Sequence, residues 1–246
     1  MSSRRFLAVV AAAIFSLLLV ARLPASIATA LVPPTIIANS PSGTLWRGSA
    51  AHVQANVNGQ WFALGNVNWE LHPLGLLFGD ALTLRSSWGR QQLDLSAGVA
   101  FNGDVTVSDV SVRADIAWIK NLLPLFVAGD LTADIETLRV TGAGVPETIT
   151  GRVVWENAAW QALGGDVSLG TYAIDITTTD RGISGKVVTL RGALDLTGEF
   201  TLKGDRYSVT ADLSGTAARN EAFQQAIALM AVPTESGYRI DLSGTL

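Results

Sequence analysis

Over much of the chain, apolar and polar residues alternate. Leu131, Ala133 and Ile135 alternate with Thr132, Asp134 and Glu136, and Tyr172, Ile174 and Ile176 with Ala173, Asp175 and Thr177. Leu194, Leu196, Phe200 and Leu202 alternate with Asp195, Thr197, Glu199 and Thr201. Tyr207, Val209, Ala211 and Leu213 alternate with Arg206, Ser208, Thr210 and Asp212, and Tyr238, Ile240 and Leu242 with Arg239, Asp241 and Ser243. A period of two sends successive side chains to opposite faces of a strand, so each run predicts a strand with one apolar and one polar face. Lys203-Gly204-Asp205 lies between two such runs and reads as a hairpin loop. Asn102-Gly103, Gly164-Gly165 and Asp180-Arg181-Gly182 punctuate the chain in the same way.

About a dozen short strands joined by short connections predict an all-β, predominantly antiparallel meander. One-sided apolar faces in that number call for a curved sheet with a covered concave side, a sandwich or a barrel. Two segments change period. Asp115 to Pro124 reads as a short helix, capped by Asp115, stopped by Pro124 and apolar along Ile116, Ile119 and Leu123. Asn220 to Met230 reads as a second, with Asn220 as cap and Phe223, Ile227 and Met230 on one stripe.

The amino terminus differs again. Arg4 and Arg5 precede an uncharged run from Phe6 to Ala21, in which Ser16 is the only polar residue, and Arg22 and Pro24 follow it. The run falls just below the ~17 residues that a spanning helix needs at the short end. Arg5 and Arg22 can lengthen the effective span by snorkelling. The basic pair predicts a cytoplasmic amino terminus, with everything after Arg22 in the periplasm. The competing reading is a cleaved signal peptide, with Ala28-Thr29-Ala30 as the small-residue cleavage site. Leu31 to Pro41 holds Pro33, Pro34 and Pro41 and reads as a stiff spacer outside the sheet. The division expected is a cytoplasmic tail over 1–5, a transmembrane anchor over 6–22, a Pro-containing spacer over 23–41 and a periplasmic β domain over 42–246.

Composition narrows the chemistry. The net charge is −4, and Lys and Arg are scattered singly, which argues against a nucleic-acid face. With no cysteine there is no disulfide, thiolate metal site or thiol nucleophile. His52 and His72 are the only histidines. His52 sits in an alternating stretch and reads as a surface strand residue. His72 lies near Glu70, a pair suited to proton transfer, but no nucleophile or second carboxylate accompanies it. Asp134, Asp175, Asp195, Asp212 and Asp241 fall on polar strand faces, where solvated charge belongs. Gly142-Ala143-Gly144 lacks the lysine and following helix of a phosphate loop. No catalytic, cofactor or metal site is expected. The seven tryptophans, Trp46, Trp61, Trp69, Trp88, Trp118, Trp155 and Trp160, either fill and cover the sheet or present a contact surface.

The motifs also carry a family resemblance. Gly43-Thr44-Leu45-Trp46-Arg47-Gly48-Ser49-Ala50 resembles the G-T-L-W-x-G-x-A signature of the N protein of the type II secretion pathway (general secretion pathway protein N). The stretch from Trp69 to Gly79, WELHPLGLLFG, is similar to that family's W-x-L-x-P-x-x-L-L-x-G, with Phe78 where the family tends to have Leu. The segments around Trp155 and around Gly170-Thr171-Tyr172 resemble its G-x-x-x-W-x-x-A and L-G-x-Y elements, and Gly237 to Leu246 its closing strand. The resemblance implies a non-enzymatic accessory component of the inner membrane, partnered by other subunits of the machine that exports folded proteins. It marks Gly43, Leu45, Trp46, Gly48, Trp69, Pro73, Gly79, Trp155, Gly170 and Tyr172 as motif and packing residues. A weaker, architectural resemblance to the AsmA- and TamB-like envelope proteins implies an alternative, a lipid-contact or lipid-transfer module with an apolar β groove.

Overall fold

A computed structural model describes residues 3–57, 59–75, 81–100, 102–116, 126–142, 144–162, 165–228 and 230–245, with side chains described from residue 6 onward. Two helices come first, α1 (Ser3–Ala21) and α2 (Ala25–Leu31). Twelve strands follow: β1 (Ile36–Gly43), β2 (Arg47–Val57), β3 (Gln60–Leu71), β4 (Leu82–Trp88), β5 (Gln91–Val99), β6 (Val105–Asp115), β7 (Val127–Val140), β8 (Pro146–Ala162), β9 (Gly165–Thr179), β10 (Gly182–Gly192), β11 (Leu194–Lys203) and β12 (Arg206–Gly215). A 3-10 turn (Ala217–Arg219) and α3 (Glu221–Ile227) lead to β13 (Ala231–Pro233) and β14 (Tyr238–Thr245).

All fourteen strands form one antiparallel sheet, each bonded to the next in the order β1 to β12, then β14 and β13. The meander was legible in the alternation. The sandwich was not the outcome, because the ladder continues unbroken from β1 to β13 and does not split into two sheets. Several strands are also longer than expected, with 17 residues in β8 and 15 in β9. The hairpin at Gly204 forms as read: Lys203 pairs with Arg206 and Leu196 with Leu213.

Strict alternation is broken at bulges. Ser40, His52, Asp109 and Asn157 have φ of 49, 51, 51 and 51°. Each sits at a register shift, in β1, β2, β6 and β8 respectively. One extra residue on one strand lets two side chains three positions apart face the same way and bends the strand. Ala50 and Val53 both point inward across the His52 bulge, and Trp155 and Ala158 are brought to one cluster across the Asn157 bulge.

The core is split between the two ends of the sheet. One cluster gathers Ala25, Ala50, Val53, Val67 and Trp69 beneath α2. The other gathers Ala158, Leu169, Tyr172, Leu194, Leu213, Ala217, Ala218, Phe223 and Ile227 beneath α3. Between them the inward side chains Leu93, Val107, Val112, Leu131 and Ile135 are only half-buried.

Three expectations are revised, and a fourth lies largely outside the described residues. The supposed spacer contributes to the fold: Ala25 is buried in the first cluster, and β1 pairs with β2 despite Pro41. The edge position makes this possible, since an edge strand needs only one row of ladder bonds. The helix expected over Asp115–Pro124 lies largely outside the described residues; its beginning, through Asp115, belongs to β6. The helix at Asn220 forms, and the Asn220 side chain accepts from the Phe223 N–H at 3.2 Å. It ends at Ile227, however, so Met230 is exposed and takes no part in the buried stripe. Finally, among the described residues no helix is long and apolar enough to cross a membrane. The uncharged run in α1 rises only about 24 Å against a hydrocarbon core of about 30 Å.

Candidate functional site

The amino-terminal end of the sheet brings together motifs that lie apart in the sequence. β2 pairs with β3 so that Gly48 stands opposite Trp69. A Cβ on Gly48 would fall 2.5 Å from the Trp69 ring and 2.8 Å from the Thr44 carbonyl oxygen, so only glycine admits the indole here. The ring is buried, and its Nε1–H donates to the Leu45 carbonyl at 3.0 Å. Gly43, with φ +89°, faces Gly48 across the β1–β2 turn, where the Thr44 N–H donates to the Arg47 carbonyl. The two motifs are thus two halves of one packing unit.

Trp46 plays a different part from the buried anchor its neighbours suggest. It is half-buried, and its Nε1–H donates to the Val20 carbonyl at 2.8 Å. The Leu45 N–H donates to the Leu23 carbonyl at 2.7 Å. The last turn of a helix leaves carbonyls without intrahelical donors; at the end of α1 the β1–β2 turn supplies one of them. The sheet therefore grips the end of α1 directly. Pro73 is exposed just after β3, where the His72 N–H closes the loop onto the Ala81 carbonyl; Gly79 lies outside the described residues.

Beneath α2 lies a cavity of about 280 Å³. Its walls are Ala28, Thr29, Leu31 and Val32 from α2 and its end, Ile36 and Ala38 from β1, Leu45, Ala50 and Val53 from the turn and β2, Leu64, Val67, Trp69 and Leu71 from β3, and Leu82 and Leu84 from β4. Only Thr29 and Trp69 bring side-chain polar atoms, and both are engaged. The Thr29 hydroxyl donates to the Ser26 carbonyl at 3.0 Å, and the Trp69 indole to Leu45. The part of α2 was not read from sequence. The available signal was the pair Ala25 and Ala28, three apart behind Pro24, a helical spacing inside what looked like a cleavage region.

At the far end, Trp155 and Tyr172 face each other across β8 and β9, with ring centres 5.9 Å apart. The Trp155 Nε1–H donates to the Ala128 carbonyl at 3.1 Å. The Tyr172 hydroxyl, buried, donates to the Leu194 carbonyl at 2.9 Å. Burial first, and the Asp195 charge second, push the Tyr172 phenol up to about 12. Gly170, φ +150°, stands opposite Gly192, and a Cβ would strike the Arg191 carbonyl. Of the site residues described, Gly43, Leu45, Gly48 and Trp69 thus pack the amino-terminal end of the sheet and Trp155, Gly170 and Tyr172 the other, while Trp46 meets α1 and Pro73 is exposed.

The polar face carries ion pairs in strand register. Arg152 and Asp175 are cross-strand neighbours in a two-point pair at 2.6 and 2.8 Å, as are Arg239 and Asp212 at 2.8 and 3.0 Å. Hydrogen bonds from these guanidinium groups hold the Asp175 and Asp212 carboxyls below the usual range, and Arg139 does the same for Asp104. Such exposed pairs are screened by solvent and add little to stability; their use is to fix register. His52 is exposed at its bulge with its ring edge toward Trp88 at 6.4 Å, and His72 is exposed in its loop. Among the described residues no group of three or more His, Asp or Glu is placed to hold a metal ion.

A profile of the family described as "Type II secretion system (T2SS), protein N" matches residues 34–241. The chain belongs to the type II secretion system protein N family. It is 28% identical to type II secretion system protein N of Vibrio cholerae serotype O1 over 244 residues, covering 92% of each chain. It is 25% identical to the protein of that name from Aeromonas hydrophila over 198 residues, covering 76% of each. No solved structure matches. As a member of this family, the chain is a component of the type II secretion machinery, and the matched region takes in every described strand except the last residues of β14.

Proposed function

We propose that this member of the family is a non-catalytic scaffold of the secretion machinery, tethered in the inner membrane by α1, with residues 1–5 in the cytoplasm and the β sheet in the periplasm. The observation that carries the reading is the junction of α1 with the sheet. Phe6, Leu7, Val9, Leu17 and Leu18 are between 57 and 71% exposed, so among the described residues most of this apolar helix stands clear of the fold, held only at its end. In water that surface is unfavourable by about 25 cal/mol per Å², and a bilayer relieves it. Its shortness is met by local thinning of the bilayer and by Arg22 reaching the interface next to the sheet. Retention of the segment is supported by its use in the fold, since cleavage after Ala30 would remove Ala25 and Ala28 from the first core cluster. The domain proper then starts at α2, and no free spacer separates it from the anchor.

A specific observation also favours a second reading, contact with lipid along the inward face of the sheet. That face is half-buried between the two end clusters, and among the described residues no second sheet covers it. In-cell photo-crosslinking from Leu93, Val112 and Phe200 tests both. Adducts with other secretion subunits support the scaffold, and adducts with lipid alone overturn it. Amino-terminal sequencing of the membrane-extracted protein tests the anchor; a mature chain starting at Leu31 refutes it.

A further inference from the structure

We propose that the cavity beneath α2 binds one acyl chain of a membrane phospholipid. The inference rests on the anchor reading above but concerns only the amino-terminal end of the inward face, where α2 covers the sheet, and not the stretch between the two clusters.

Three observations choose the occupant. The cavity is dry by chemistry: it lacks the two to four polar partners that a buried water needs, because the Thr29 hydroxyl and the Trp69 indole are already bonded within the protein. A pocket for a polar small molecule carries a few placed polar groups that orient it. This one offers none, so its ligand is recognised by shape and apolar burial alone, as an alkyl chain is. The second observation is size. A methylene takes roughly the room of a water molecule, ~30 Å³, so about 280 Å³ accommodates on the order of nine methylenes, a large part of one acyl chain. The third is position. Leu45, in the cavity wall, is bonded to Leu23, and its neighbour Trp46 is bonded to Val20 at the end of α1. If α1 is in the bilayer, the cavity lies at the membrane surface. Leu31, 75% exposed, and Val32 form part of its lining and place its mouth at the end of α2. Arg22, the first cation after the apolar run, suits a lipid phosphate at the same level.

The test uses the full chain reconstituted into vesicles of phosphatidylethanolamine and phosphatidylglycerol doped with a phosphatidylethanolamine whose acyl chain carries a diazirine. After irradiation, labelled peptides are mapped by mass spectrometry. The expected result is label on the cavity walls from β1, β3 and β4, in addition to label on α1. Ala28→Phe fills the cavity from the helix side and Ala38→Phe from the sheet side. Each is expected to reduce the cavity label by about tenfold or more, corresponding to a loss of about 1.4 kcal/mol in binding, while α1 keeps its label. The second variant covers the case in which the first fails to fold. Label on α1 with none on the cavity walls overturns the proposal and leaves the anchor standing. Cavity label that neither phenylalanine reduces overturns it too, as does label confined to the inward face around Phe200 and Val209. Absence of label on α1 refutes the anchor reading itself.

Discussion

Replacing Gly48 by Ala tests the packing unit that joins the two amino-terminal motifs. The added methyl would lie 2.5 Å from Cζ2 of Trp69 and 2.8 Å from the Thr44 carbonyl oxygen, well inside van der Waals contact. Overpacking of this kind costs about 1–3 kcal/mol. Trp69→Ala removes a buried indole. An aromatic side chain buries 150–250 Å², which at ~25 cal/mol per Å² is about 4–6 kcal/mol, and measured truncations give about 3–5. The double variant separates the causes. Without the ring, the methyl still meets the Thr44 carbonyl but loses its closest contact, so Gly48→Ala is expected to cost about 1–2 kcal/mol less in the Trp69→Ala background, a coupling typical of residues in contact. The assay is urea unfolding of the detergent-purified chain, followed by far-ultraviolet circular dichroism so that loss of a tryptophan does not disturb the signal. Additivity within about 0.5 kcal/mol would refute the claim that the ring lies on Gly48.

Three further outcomes are expected. Tyr172→Phe leaves the Leu194 carbonyl without its donor and is expected to destabilise by about 1–3 kcal/mol in thermal melting. Because folding raises the Tyr172 phenol from about 10 to about 12, its contribution is complete below about pH 10 and is lost as pH rises toward 12; the phenylalanine variant should lack this part of the alkaline loss. The lowered carboxyls of Asp104, Asp175 and Asp212 act with the opposite sign: their contribution is present above the ordinary carboxylate range, near 4, and fades as pH falls through their depressed values. Asp175→Asn should flatten the acid limb of stability measured by circular dichroism, and an unchanged limb would count against the Arg152 pair as its source. Leu196→Asp places a charge opposite Leu213, beside the carboxy-terminal cluster, and is expected to lower the Tm by more than about 5 °C; a shift under about 2 °C would show that water reaches this part of the inward face.

The sequence by itself determined the all-β class, the antiparallel meander, the Gly204 hairpin and the capped helix at Asn220. These follow from local rules: a period of two, turn residues with the right backbone freedom, and an Asn whose side chain satisfies a helix N–H. Its ordered motifs also pointed to the family. Only the tertiary structure decided that the strands form one sheet, because a one-faced strand looks the same in a sandwich and in a single layer. It also decided where the bulges fall. Ala50 and Val53 share a face only once His52 is extruded, and nothing in a two-residue period announces that. Pro33, Pro34 and Pro41 read locally as a spacer, yet β1 joins the sheet as an edge and Ala25 is buried, because α2 covers apolar side chains that β1 to β4 would otherwise expose. The role of Trp46 is the sharpest case. The sequence leaves its ring as filling for the sheet or as a contact surface, but its partner is the Val20 carbonyl, twenty-six positions earlier in the chain, and a contact between a turn and a helix end has no local signal to read.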